Sequence, residues 1–237
     1  MSRLAAIVSG PGRRVISPAF NNYGETRISS SARGHAANTR IVVELSAAFP
    51  ARRCAVVGHS MGGFIALKAM VAGARADALA VYEPVAFGVL DSSDPEQRAA
   101  RDWDQATAGE MIKRIAEGDA EGGVRCFIEG WNETPWESLP EQARRSFIAR
   151  AGHLREDVAG LSWDETPREA YAGLAAPTLI LTGETSPPVV FHVAKGLGEA
   201  VPNAVFQSIS GASHMGPITH PEAVAAAVNA FLAGVWA

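Results

Sequence analysis

Gly58-His59-Ser60-Met61-Gly62, followed by a further glycine at Gly63, is the stretch that most constrains the fold of this chain. Ala55, Val56 and Val57 before it form a short apolar run of β type; Phe64, Ile65, Leu67, Met70 and Val71 after it recur at helical spacing. A strand therefore enters the turn and a helix leaves it. The glycines on both sides of Ser60 remove β-carbons that would clash in so sharp a turn, and they let the new helix pack closely on the strand. The serine hydroxyl is lifted clear of the backbone at a helix N-terminus. Unpaired N–H groups and the positive dipole end there favour developing negative charge.

A G-x-S-x-G pattern alone occurs by chance, and a small-residue turn needs no catalysis. The strand ending at the first glycine and the helix starting at the serine turn it into a specific signal. On these residues the chain resembles the α/β-hydrolase superfamily, in which this turn is the nucleophile elbow. The resemblance runs from about Arg14 to the C-terminus and is less specific in the middle. It implies an α/β-hydrolase fold: a mostly parallel sheet with helices on both faces and a helical cap insertion.

The rest of the chain alternates in the same sense. Arg14-Val15-Ile16-Ser17-Pro18 reads as a strand running into a loop over Asn21 to Gly24, and a helix is expected from about Ala36 to Phe49. After the elbow helix comes a strand, Leu79 to Glu83, ended by Pro84. The pattern resumes with a strand from Pro177 to Thr182 that ends at Gly183, then a helix over about Val189 to Leu197 and a strand near Val205-Phe206. Thr219-His220-Pro221-Glu222 opens the last helix with capping-box spacing.

From about Val85 to Ala175 charges increase, Pro and Gly are scattered, and Trp103, Trp131, Trp136 and Trp163 all fall. Met111-Ile112-Ile115 and Phe147-Ile148-Leu154 point to short helices, and Asn132-Glu133-Thr134-Pro135 to a turn. The expected division is a hydrolase core of residues 1–84 and 176–237 with a helical insertion of residues 85–175, which by resemblance is a cap over the active site. For any single tryptophan, packing the helical layer outweighs substrate contact. Trp103, Phe127, Trp131 and Trp136 are the candidates for lining a substrate site.

Composition narrows the function. With 237 residues, 47% hydrophobic and 19% charged, the chain suits one globular domain with a sizeable core. A net charge of -4 without any Lys/Arg stripe argues against nucleic acid as a partner. Cys54 and Cys126 show no metal or disulfide spacing and read as small buried hydrophobes in a reducing compartment. Leu4 to Val8 is too short for a signal-peptide apolar segment, and no apolar stretch is long enough to cross a bilayer, so a soluble cytoplasmic protein with no membrane partner is expected. No phosphate loop, dinucleotide fingerprint or metal-ligand cluster is visible, so no cofactor or metal is implied. The expected partner is a small-molecule substrate; oligomeric state is not legible.

A serine hydroxyl needs a base within hydrogen-bond reach and a third group to orient that base. Among six histidines, His214 is favoured. It follows the last strand on the loop Ser210-Gly211-Ala212-Ser213, where the superfamily places its catalytic histidine. His59 lies inside the elbow with its side chain expected to point away from that of Ser60. The commoner acid position, three residues past the glycine ending the penultimate strand, is Ser186 here and carries no carboxylate. Glu184 is near, but Val81-Tyr82-Glu83-Pro84 matches superfamily members that carry a glutamate after the strand following the elbow helix. Glu83 is therefore placed ahead of Glu184, in the superfamily's chain order of nucleophile, acid, histidine.

The oxyanion of acyl transfer needs two donors: the backbone N–H of Met61 and one from a loop after an earlier strand. Only 14 residues precede Val15, with Leu4 to Val8 resembling the tail of a helix and Ser9 to Gly12 its exit. The N-terminal strands are thus expected to be missing, either because the reading frame starts upstream of Met1 or through genuine loss. Two functions compete: a serine hydrolase of small, mainly apolar ester, thioester or related carbonyl substrates, and a truncated or degenerate relative that binds a small ligand without efficient catalysis. Ser60 in place of an aspartate argues against dehalogenation and epoxide hydrolysis.

Overall fold

The computed structural model describes residues 2–21, 23, 26, 34–49, 53–132 and 135–237. The loop expected over Asn21 to Gly24 and the turn at Asn132 to Pro135 therefore lie partly outside the described residues. The elements run α1 (Ser2–Val8), α2 (His35–Ala48), β1 (Ala55–His59), α3 (Met61–Val71), β2 (Ala78–Tyr82), α4 (Pro95–Ala116), α5 (Ala120–Asn132), α6 (Glu141–Ala149) and α7 (Ala151–Ser162). They continue through β3 (Thr178–Gly183), α8 (Pro188–Ala200), β4 (Ala204–Ile209), α9 (Gly216–Thr219) and α10 (Pro221–Val235).

The four strands form one parallel sheet in the order β1-β2-β3-β4, with Val57 opposite Ala80, Val81 opposite Ile180 and Leu181 opposite Gln207. Because side chains alternate across a strand, each apolar run feeds two cores. Leu79, Val81 and Ile180 pack with Phe64 and Leu67 of α3 and Val193 and Leu197 of α8 on one face. Ala80, Tyr82, Leu179 and Leu181 pack with Leu4 of α1 and Val224, Val228 and Leu232 of α10 on the other. The central strands β2 and β3 are buried along their whole length, whereas Val57 of β1 is 39% exposed.

Three local expectations give way. Residues 13–20 form no strand, and Val15 and Ile16 stand exposed. An apolar run becomes a strand only beside a partner, and no described strand pairs with this one. The capping box does not form: Pro221 takes the first position of α10, which makes His220 the cap, and the Thr219 hydroxyl turns back to the Met215 carbonyl at 3.2 Å. Cys54 and Cys126 are half-buried free thiols rather than core residues.

The stretch between β2 and β3 is helical. α4 packs against α5, α7 and α8, and small cores of Val124, Ile128, Trp136 and Ala151, and of Ala108, Met111 and Val158, hold the layer together. Asp94 caps α4 by accepting the N–H groups of Glu96 and Gln97, with Pro95 at the first helical position. Among the described residues no helix is long and apolar enough to cross a membrane.

Candidate active site

Three strand ends and one loop converge on Ser60. The turn after β1 is forced by sterics: a β-carbon on Gly58 would lie 2.3 Å from the Gly62 carbonyl oxygen, and one on Gly63 would lie 3.0 Å from Pro84 Cβ. A β-carbon on Gly62 meets nothing within 4 Å. The close approach therefore falls on Gly58 and Gly63, not evenly on the glycines around the serine. Ser60 has φ 54° and ψ -122°, and Glu83, directly after β2, has φ 45°. They are the only non-glycine residues of positive φ among the described ones. Such backbone costs on the order of 1–3 kcal/mol per residue and persists only where the surroundings over-determine it. Here the Ser60 N–H donates to the Tyr82 carbonyl at 3.0 Å and the Glu83 N–H to Leu181 at 2.9 Å, so ladder-type bonds run through the strained residues.

The side chains form a continuous hydrogen-bonded chain. Ser60 Oγ lies 3.0 Å from His214 Nε2, and His214 Nδ1 lies 2.7 Å from Glu83 Oε2. The Glu83 carboxylate can only accept, so Nδ1 carries the proton and Nε2 presents a lone pair to the serine hydroxyl. Glu83 is fully buried, and its other oxygen accepts the Gly183 N–H at 2.6 Å and the Ser186 hydroxyl. Ser186 occupies the position where the sequence lacks the commoner acid; it supports the glutamate instead. Met61 opens α3, so its N–H has no carbonyl one turn back and faces the serine end of the helix.

Glu184 is directed elsewhere. Its Oε2 accepts the Ser210 hydroxyl at 2.9 Å and the Gly211 N–H at 2.8 Å, and these bonds, that of Gly211 foremost, hold its carboxyl below the usual range. It pins the base of the loop that carries His214. Sequence reasoning missed two further holders of that loop. His59 donates from Nε2 to the His214 carbonyl at 2.8 Å, and Tyr82 donates its hydroxyl to the Ser213 carbonyl at 2.7 Å. Burial, and secondarily the proximity of His214, push His59 down to about 3, so its imidazole is neutral. Burial together with the Glu83 charge pushes the Tyr82 phenol well up, so it keeps its proton for donation. The sequence does carry a signal for both: each sits within one residue of Ser60 or Glu83 at a strand end.

The aromatic candidates separate. The Trp131 ring centroid lies 4.8 Å from that of His214; Trp103 and Phe127 flank Trp131 at 5.5 and 6.3 Å. Trp136 does not join them. It is 1% exposed, packs in the small core of Val124, Ile128 and Ala151, and donates from Nε1 to Glu121 at 3.1 Å. Among the described residues no group of three or more His, Cys, Asp or Glu is arranged to hold a metal ion.

A parallel sheet whose strand ends carry an elbow serine, a glutamate and a loop histidine defines a hydrolase-type enzyme. The chain belongs to the alpha/beta hydrolase family, whose sequence model matches residues 3–227. Among solved structures it is similar to an esterase from Exiguobacterium antarcticum, at 16% identity over 92% of this chain and 80% of that one, with a TM-score of 0.68. It is similar to a variant of the meta-cleavage product hydrolase CumD at 16% identity, 98% and 84% coverage and a TM-score of 0.66. MenH from S. aureus follows at 16% identity, 93% and 82% coverage and a TM-score of 0.65. At these identities the likeness is one of fold. A comparison with curated proteins finds no match.

Proposed function

We propose that this protein is a serine hydrolase that cleaves a small, mainly apolar ester, thioester or related carbonyl substrate through an acyl-enzyme. The observation that carries this reading is the unbroken path from Ser60 Oγ through His214 to Glu83, at 3.0 and 2.7 Å. In the forward step Ser60 Oγ attacks the carbonyl carbon while its proton passes to His214 Nε2. Glu83 stabilises the imidazolium by accepting the Nδ1 proton without taking it. The carbonyl oxygen gathers negative charge towards the Met61 N–H. Collapse expels the leaving group, which takes the proton from Nε2. Water, deprotonated by the same nitrogen, then releases the acid and restores Ser60.

The helices of residues 85–175 act in this reading as the cap that walls the site, with Trp103, Phe127 and Trp131 towards the substrate. The esterase and the meta-cleavage product hydrolase named above share the fold under different named activities, so the fold leaves the choice of carbonyl substrate to the pocket. A second reading, a relative that binds a small ligand without efficient catalysis, is favoured by one observation. Among the described residues β1 is an edge strand, so no neighbouring strand on that side supplies a second oxyanion N–H. A fluorophosphonate probe separates the two. The hydrolase reading expects covalent labelling at Ser60 that is abolished by His214→Ala; a folded protein that stays unlabelled supports the binding reading.

A further inference from the structure

The indole of Trp131 is 3% exposed, and its Nε1–H is buried with no hydrogen-bond partner among the described residues. An indole nitrogen is a donor only, and a buried donor without an acceptor is rare enough to require an explanation. The rings packed around it offer no free acceptor. His214, whose ring centroid is 4.8 Å away, has both nitrogens engaged, Nδ1 with Glu83 and Nε2 with Ser60. Phe87, Trp103 and Phe127, the other rings around it at 6.1, 5.5 and 6.3 Å, have no acceptor atoms on their side chains. Trp136, five residues on in the same layer, shows the contrast: its indole N–H is satisfied by Glu121.

We propose that Trp131 is a specificity-determining residue whose indole N–H donates to an oxygen acceptor on the leaving portion of the substrate. The acceptor is placed on that side because Trp131 packs against the imidazole that hands its proton to the leaving group. The inference rests on the serine-hydrolase reading and deepens it: the preferred substrate is not wholly hydrocarbon around its scissile bond, but carries an ether, hydroxyl or carbonyl oxygen in its alcohol or thiol half. A site built to donate to such an oxygen rejects the analogue that lacks it, because the donor is then left unpaired.

Two pairs of near-isosteric esters test this. Methoxyethyl acetate and butyl acetate differ by one oxygen for one methylene in the leaving half; ethyl methoxyacetate and ethyl butyrate differ likewise in the acyl half. Taking each pair's kcat/KM ratio in wild type against variant cancels intrinsic reactivity. The variants are Trp131→Phe and a protein with benzothienylalanine at position 131, which keeps the bicyclic shape and removes the N–H. The expected result is a fall of about tenfold or more in the leaving-half ratio in both variants, with the acyl-half ratio unchanged. A uniform loss on all four esters, no change on any, or a change confined to the acyl pair overturns the proposal while leaving the hydrolase intact. Absence of any ester turnover together with an unlabelled Ser60 overturns the hydrolase reading and this inference with it.

Discussion

The strand ends and the helical layer differ in how completely their buried polar groups are partnered. Around Ser60 the groups are partnered: both oxygens of Glu83, both nitrogens of His214, the Tyr82 hydroxyl and His59 Nε2 all have hydrogen bonds. In the helical layer Trp131 Nε1 and Asp104 Oδ2 are buried without a partner among the described residues. A satisfied network resists rearrangement and holds reacting atoms in one geometry. A layer with unsatisfied donors and acceptors gives up stability and gains groups that can recognise something else. On the proposed hydrolase reading, chemistry belongs to the strand ends and selection to the helices.

The largest expected effect is on the network itself. Glu83→Gln keeps the shape but presents the wrong partner to His214 Nδ1, and kcat should fall about 10³–10⁴-fold. Glu184→Gln, whose carboxylate hydrogen-bonds Ser210 and Gly211 rather than His214, should stay within about threefold of wild type. Steady-state rates on one ester check both, and the reverse ranking would move the acid to Glu184.

Next comes the turn. Gly58→Ala drives a β-carbon into the Gly62 carbonyl and should cost about 3 kcal/mol or more, whereas Gly62→Ala meets open space and should stay within about 1 kcal/mol. Urea denaturation midpoints of the two variants measure the gap. Equal losses would show that the turn relaxes, and that the strain at Ser60 is not held by the close approach of its backbone.

The smallest effect probes the helical layer. Burial raises the Asp104 carboxyl from 3.8 to about 6, against a lowering by the Ser162 side chain and Arg101. Between those values the folded state keeps a proton that the unfolded chain releases, so stability is lost as pH rises through the window, and the loss is complete above about 6. Asp104→Asn removes the titration. It should be more stable than wild type at pH 8, by on the order of 1–3 kcal/mol, and close to it near pH 4. A constant difference across pH would mean that Asp104 does not titrate in this range.

The strand ends were largely legible in the sequence, the helical layer was not, and the reason is physical. A sharp turn between strand and helix demands small residues at fixed offsets, so Gly58 and Gly63, set between an apolar strand and a helical run, mark Ser60. Glu83 before Pro84 and His214 behind the last strand follow from the resemblance to the superfamily, whose chain order they keep. By contrast, Trp131 and Trp136 lie only five residues apart, on either side of the expected turn. Whether an indole meets Glu121 or His214 depends on how α5 and the turn after it pack against their neighbours, and periodicity carries no such information. The run Val15-Ile16 illustrates the same limit at the sheet: β propensity is visible locally, but pairing is a property of the neighbour.

The central claim, that Ser60 is a nucleophile driven by its satisfied network, is tested most directly by rapid mixing with p-nitrophenyl acetate followed by acid quench and peptide mass analysis. The account predicts a burst of nitrophenolate approaching one equivalent of enzyme, with one acetyl group on the peptide containing Ser60, and no burst in His214→Ala. Turnover without acetylation of Ser60, or an acetyl group on another residue, would contradict it.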